Sequence, residues 1–163
     1  MKHTSELMKT LGKKLDELKM TLVTAESCTG GFIAYSISSS KEASSSLERG
    51  YITYSNQSKE DLLGVKPGTL QLHGAVSKEV ALEMANGALK NSKAQISIAT
   101  TGIAGTDEKT EKKGIVWIAF ASIIAEPFLL KKEIAGSRKE FIESVTLLAF
   151  SELLTYVNKL KHV

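Results

Sequence analysis

Leu7, Leu11, Leu15 and Leu18 recur at three- and four-residue intervals among lysines and glutamates, and this spacing predicts an amphipathic helix over 4–19, packed as a lid on a sheet. Residues 21–24 read as a short buried strand. Phe32, Ile33 and Ile37 then share one helical face, predicting a helix over 29–39 with Thr29 as its N-cap. A polar connector spans 38–46. Strand preference returns at 51–54, and Asn56 is placed to cap a short helix that runs to Leu63 and stops at Gly64. Pro67 and Gly68 break the chain. Ser77 caps a helix over 78–90 that carries Val80, Met84 and Ala88 on one face.

The second half reads more plainly. Residues 96–101 alternate as a strand and lead into the small-residue loop 102–105; 114–121 is a near-continuous apolar run, as expected of a covered central strand. A short connector then leads to a strand over 128–134, which predicts antiparallel pairing. Ser137 and Glu140 form a capping box. Behind it, Ile142, Val145, Ala149, Leu153, Tyr156 and Leu160 fall on one face of the last helix. Helices on either side of a mixed set of strands predict a three-layer α/β/α sandwich.

Composition narrows the class. The 163 residues fit one domain, with 42% hydrophobic and 24% charged content typical of a soluble globular chain. A net charge of +3, with lysines dispersed, gives no basis for a nucleic-acid partner. Cys28 is the single cysteine, so an internal disulfide is impossible and a reducing, cytoplasmic setting is expected. Neither a signal-peptide core nor a membrane-length apolar run occurs, so no membrane association is expected. His73 has no second ligand at metal spacing, and no metal or cofactor is called for. Edge strands and the apolar first helix are compatible with a homo-oligomer.

Candidate chemistry concentrates at 24–31, Thr-Ala-Glu-Ser-Cys-Thr-Gly-Gly, between a strand and a helix. Backbone N–H groups gather at such a helix start, and Gly30 and Gly31 permit close approach, so an anion or an oxyanion would be at home there. A turn of this composition also occurs in proteins that bind nothing. It is neither a P-loop nor a hydrolase elbow. Lys59 falls in the first turn of its helix, a poor place for a cation on dipole grounds, although a single lysine is more often a solvated one. Arg138 opens the last helix, where a basic group beside an N-terminus suits phosphate.

Taken together, residues 26–31, Tyr54-Ser-Asn56 with Lys59, 63–65, 74–77, Met84-Ala, Gly87-Ala and 101–105 make the chain resemble the CinA C-terminal domain family, over nearly its whole length. The resemblance extends to the family's stand-alone nicotinamide mononucleotide deamidases. It implies hydrolysis of that nucleotide's carboxamide, with Ser27 as nucleophile, Lys59 as base and Tyr54 orienting Lys59. It further implies a substrate site around Glu26, Cys28, Thr29, Gly30 and Gly31, with backbone N–H groups of 28–31 holding the oxyanion. Thr101, Gly102 and Gly105 would line the pocket, Asn56 would bind ribose or fix the loop, and Arg138 would take the 5′-phosphate. Glu26 is expected to hold the loop rather than react, and only the resemblance excludes Cys28 as nucleophile.

One segment departs from the family. Where a proline and a glycine run are usual after Gly105, residues 106–113 read Thr-Asp-Glu-Lys-Thr-Glu-Lys-Lys, which places Asp107 and Glu108 near an expected phosphate site. A non-catalytic nucleotide-binding module, or an amidase for another small carboxamide, remains the competing class.

Overall fold

The computed structural model describes residues 2–105 and 113–160, with side chains from residue 5 onward. Strands β1 (Leu22–Glu26), β2 (Leu47–Ile52), β3 (Ile96–Ile103), β4 (Gly114–Ser122) and β5 (Phe128–Ile134) form one sheet in the order β2-β1-β3-β4-β5. β2, β1 and β3 run parallel, whereas β4 and β5 are antiparallel additions, as the short connector between them predicts. Helices α1 (Lys2–Leu18), α2 (Phe32–Ser38) and α6 (Arg138–Lys159) cover one face. Helices α3 (Asn56–Leu63), α4 (Pro67–His73) and α5 (Lys78–Lys90) cover the other.

Chain handedness explains this division. A parallel crossover is right-handed, so the step from β1 out to β2 and the return step from β2 past β1 to β3 must lie on opposite faces. α2 belongs to the first step, and α3, α4 and α5 to the second. The connections leaving β1 and β2 therefore diverge at their carboxyl ends. That divergence opens a crevice of the kind in which α/β sheets bind ligands.

Strand alternation sorts the core. Leu22, Ile96, Ile98, Val116, Ile118 and Phe120 pack toward α1 and α6 together with Leu11, Leu15, Phe141 and Phe150. Val23, Ala25, Ala99, Ala119 and Ala121 face Ala81, Met84, Ala85 and Ala88 of α5. Small side chains on both partners let α5 approach closely, and buried Ser97 donates to the Ala85 carbonyl at 2.8 Å.

Several predicted details differ. α1 packs chiefly along α6 rather than as a lid on the sheet. Pro67 starts α4 rather than breaking the chain, since proline at the first helical position loses no hydrogen bond. Ser55, not Asn56, caps α3, its side chain accepting from Ser58 N, and Gly64 ends that helix with φ 67° as expected. β2 starts at Leu47 and stops at Ile52, and β3 continues through Gly102 to Ile103. The capping box at Ser137 and Glu140 is present. The charged segment 106–112 lies outside the described residues.

Candidate active site

The same alternation distributes the loop after β1. Val23 and Ala25 face α5, so Ser27 does too, toward α3; Glu26 and Cys28 point to the opposite face, toward α2 and the larger core. Consecutive residues thus serve separate layers.

On the α2 face, Glu26 is fully buried and organises the loop. Its Oε2 accepts from Thr29 Oγ1 at 2.7 Å, Gly31 N at 3.0 Å and Ile33 N at 3.0 Å, and its Oε1 accepts from Ala34 N at 2.8 Å. Thr29 spends its proton on Glu26, so the 2.9 Å contact between Thr29 and Thr100 has the Thr100 hydroxyl as donor. Two expectations are corrected here. Thr29 is not the N-cap of α2, because Gly31 occupies that position with φ 97°. Nor is the helix start open to an external anion, since the protein's own carboxylate already occupies it.

The donors available to an oxyanion are correspondingly fewer than the four at 28–31. Gly31 N–H is held by Glu26, and Gly30 N–H donates to the Ser27 carbonyl at 3.2 Å. Among the described residues, Cys28 N–H and Thr29 N–H donate to none. The Cys28 side chain belongs to the core, 9% exposed, its sulfur abutting Gly102. Burial pushes its thiol up to about 12, so it stays protonated near neutrality.

On the α3 face, Lys59 is 1% exposed. Its Nζ lies 3.1 Å from Ser27 Oγ, and it donates to the carbonyls of Thr53 at 2.8 Å and Tyr54 at 3.1 Å. No carboxylate lies within ion-pair distance of it among the described residues. Burial lowers its pKa from the ordinary 10.5, the desolvation expected of a lysine serving as base. As an ammonium, Lys59 donates to all three oxygens. Once deprotonated it has two N–H bonds and one lone pair, and with both N–H groups on the carbonyls the lone pair is left to accept from Ser27 O–H.

Tyr54 contributes through its main chain, for its side chain is 66% exposed. Asn56 is exposed at the first position of α3. Thr101 shares Ser27's face of the sheet and donates to the Ala75 carbonyl at 2.6 Å, bringing the turn between α4 and α5 beside β3. Gly102 and Gly105 lie at that end of β3, and Arg138 stands exposed at the start of α6, which comes after β5 at the same end of the sheet. His73 lies 3.7 Å from Glu79 and has no part in this cluster. Thr100 and the Thr53 carbonyl escaped the sequence reading. Alternation from Ile96 and Ile98 through Thr100 was the signal for the first; nothing local signals a carbonyl.

A cleft of about 700 Å³ opens elsewhere, between α1, α2 and α6, with Met8, Phe32, Ser36 and Leu147 on its walls. Within it, Ser36 donates to the Phe32 carbonyl, Thr146 to that of Ile142 and Ser40 to the Glu42 carboxylate. Reactive groups gather at Ser27 instead. No three His, Cys, Asp or Glu side chains cluster as metal ligands among the described residues, and no described helix is long and apolar enough to cross a membrane.

Residues 4–157 match the CinA C-terminal domain. The chain belongs to that family. It is 40% identical over 150 residues to the nicotinamide-nucleotide amidohydrolase PncC of Escherichia coli K12, covering 91% of each chain. A putative competence-damage inducible protein of Acetivibrio thermocellus is 40% identical over 158 residues, 96% of this chain but 38% of that protein. Among solved structures, the competence damage-inducible protein A of Klebsiella pneumoniae superposes with a TM-score of 0.90 at 29% identity, covering 97% of this chain and 99% of that one. CinA C-terminal domains thus occur as stand-alone chains and within larger proteins.

Proposed function

We propose that this protein is a nicotinamide-nucleotide amidohydrolase, converting nicotinamide mononucleotide and water to nicotinate mononucleotide and ammonia. One observation carries the mechanism: a buried lysine amine, its N–H groups held by two carbonyls, 3.1 Å from a serine hydroxyl. The 40% identity to PncC over 91% of the chain supports a nicotinamide nucleotide as substrate.

Lys59 takes the Ser27 proton as Oγ attacks the carboxamide carbon. The oxyanion accepts from Cys28 N–H and Thr29 N–H, which Glu26 and Thr29 Oγ1 hold in place from the other face. The Lys59 ammonium then protonates the departing nitrogen, releasing ammonia and leaving a Ser27 ester. Water attacks that ester with Lys59 again as base; the bond from the acyl carbon to Ser27 Oγ breaks, Lys59 returns the proton to Ser27 Oγ, and nicotinate mononucleotide leaves. Thr101, Gly102 and Gly105 line the nucleotide's path, and Arg138 meets its phosphate. β1 and β5 are three strand spacings apart, about 14 Å, a span suited to a mononucleotide. No step requires a metal or an organic cofactor.

The test is ammonia release from nicotinamide mononucleotide under chelator, with Ser27→Ala and Lys59→Ala alongside. Loss of about a hundredfold or more in kcat for both variants is expected. A parent protein that binds the nucleotide, seen as a raised Tm, yet releases no ammonia would make it a binding module.

A further inference from the structure

Resting on the reading of Lys59 as base, we infer that Gly87, in the middle of α5, is a positioning residue for catalysis: it sets the depth at which α3 seats Lys59 against Ser27. Gly87 has no positive φ, and glycine is a poor helix former, so neither backbone conformation nor propensity explains it. Close approach does. A Cβ at Gly87 would overlap the Leu63 carbonyl oxygen and stand 2.7 Å from its carbon and 3.1 Å from Leu63 Cα. The last turn of α3 rests on the bare backbone of α5.

α3 has eight residues, too few to hold its own position, so its placement is set by what it packs on. Lys59 and Leu63 are four residues apart and share the buried face, 1% and 2% exposed. A further tether on the α5 side is Asn91, whose Nδ2 donates to the Leu62 carbonyl at 3.0 Å, again at the C-terminal end of α3. Displacing Leu63 from α5 therefore moves the turn that carries Lys59. The Thr53 carbonyl and Ser27, anchored by Thr53 N–H on the Glu26 carbonyl and Ser27 N–H on the Thr100 carbonyl, stay behind.

The chain contains its own control. A Cβ at Gly12 of α1 would overlap the Glu42 carbonyl oxygen and lie 2.7 Å from its carbon and 3.1 Å from Ala43 Cα, nearly the same steric situation. Glu42 belongs to the connector leading into β2, at the opposite end of the sheet from Ser27. Gly87→Ala and Gly12→Ala thus apply one perturbation in two places.

The experiment measures kcat, KM, the pH profile of kcat and Tm for both variants and for Lys59→Ala. Gly87→Ala must push the Leu63 carbonyl back by about 1 Å, and misplacement of that size near reacting groups costs on the order of a hundredfold. Expected are a kcat loss of that order with KM changed little, an altered acid limb of the kcat profile, and a lowered Tm. Gly12→Ala should lower Tm comparably while kcat and its profile stay put. Equal kcat losses in both, or an unchanged kcat and profile in Gly87→Ala, would overturn the inference. If Gly87→Ala does not fold, Asn91→Ala takes its place: a several-fold fall in kcat with KM unchanged supports it, and an unchanged kcat overturns it. Activity in Lys59→Ala would instead sink the underlying assignment of the base.

Discussion

Replacing Glu26 by glutamine removes one oxygen and one charge from the densest hydrogen-bond centre near the site. Oε2 accepts three bonds and Oε1 one, the latter from Ala34 N–H at 2.8 Å. The introduced amide can orient its oxygen to keep the threefold set. Its NH2 then faces Ala34 N–H, donor against donor. A lost hydrogen bond to a charged group costs about 1.5–3 kcal/mol. Losing the charge at the start of α2 adds about 0.3–1 kcal/mol. The sum is about 2–4 kcal/mol, which for a chain of this size lowers Tm by roughly 5–15 °C. Glu26 fixes the Thr29 hydroxyl and Gly31 N–H, so Cys28 N–H and Thr29 N–H lose their aim along with it. Thermal unfolding followed by circular dichroism, together with ammonia-release kinetics, reads both effects: a lowered Tm and a reduced kcat. A Glu26→Gln protein with parental Tm and parental kcat would refute the claim that this carboxylate organises the loop.

Burial of Lys59 and Cys28 sets the remaining expectations. Lys59 binds its proton less tightly in the native state than in the unfolded chain, so the unfolded chain holds more protons between the depressed value and 10.5. Stability contributed at this position therefore rises with pH across that window and is lowest below it; Lys59→Met should abolish activity yet raise Tm at neutral pH, and a lowered Tm would contradict the desolvation argument. By the same assignment, kcat/KM of the parent should fall on the acid side as Lys59 becomes protonated, at a pH below its ordinary 10.5. Cys28→Ala should keep kcat within about threefold of the parent, and the native thiol should resist alkylation near neutral pH; rapid labelling with loss of turnover would return Cys28 to the list of nucleophiles.

Much of this was legible from the sequence because period and caps are local signals. Ser77 before 78–90, the capping box at Ser137 and the strand at 128–134 are where pattern alone puts them. Pro67 misled because proline both breaks and begins helices, and only the residues after it decide which. The candidate site was half legible. Ser27 and Lys59 stand out by resemblance, and the fold brings them within hydrogen-bond distance. The Thr53 and Tyr54 carbonyls on Lys59 were hidden, for they carry no side-chain signature; Glu26 was expected to hold the loop, and it reaches the start of α2 because the chain turns back through Gly30 and Gly31, both with positive φ. Arg138 was read as a phosphate-binding group from its place at a helix start. The structure places it, exposed, at the same end of the sheet as Ser27.

The two carbonyls on Lys59 have a consequence for timing. When an amine in water accepts a proton, surrounding dipoles must swing toward the new charge, and that rearrangement is part of the barrier. Around Lys59 the dipoles of Thr53 and Tyr54 already point at Nζ, fixed by the end of β2 and the turn into α3. The solvation of an ammonium is thus assembled once, as the chain folds, and under the proposed assignment each later proton transfer from Ser27 would find it waiting.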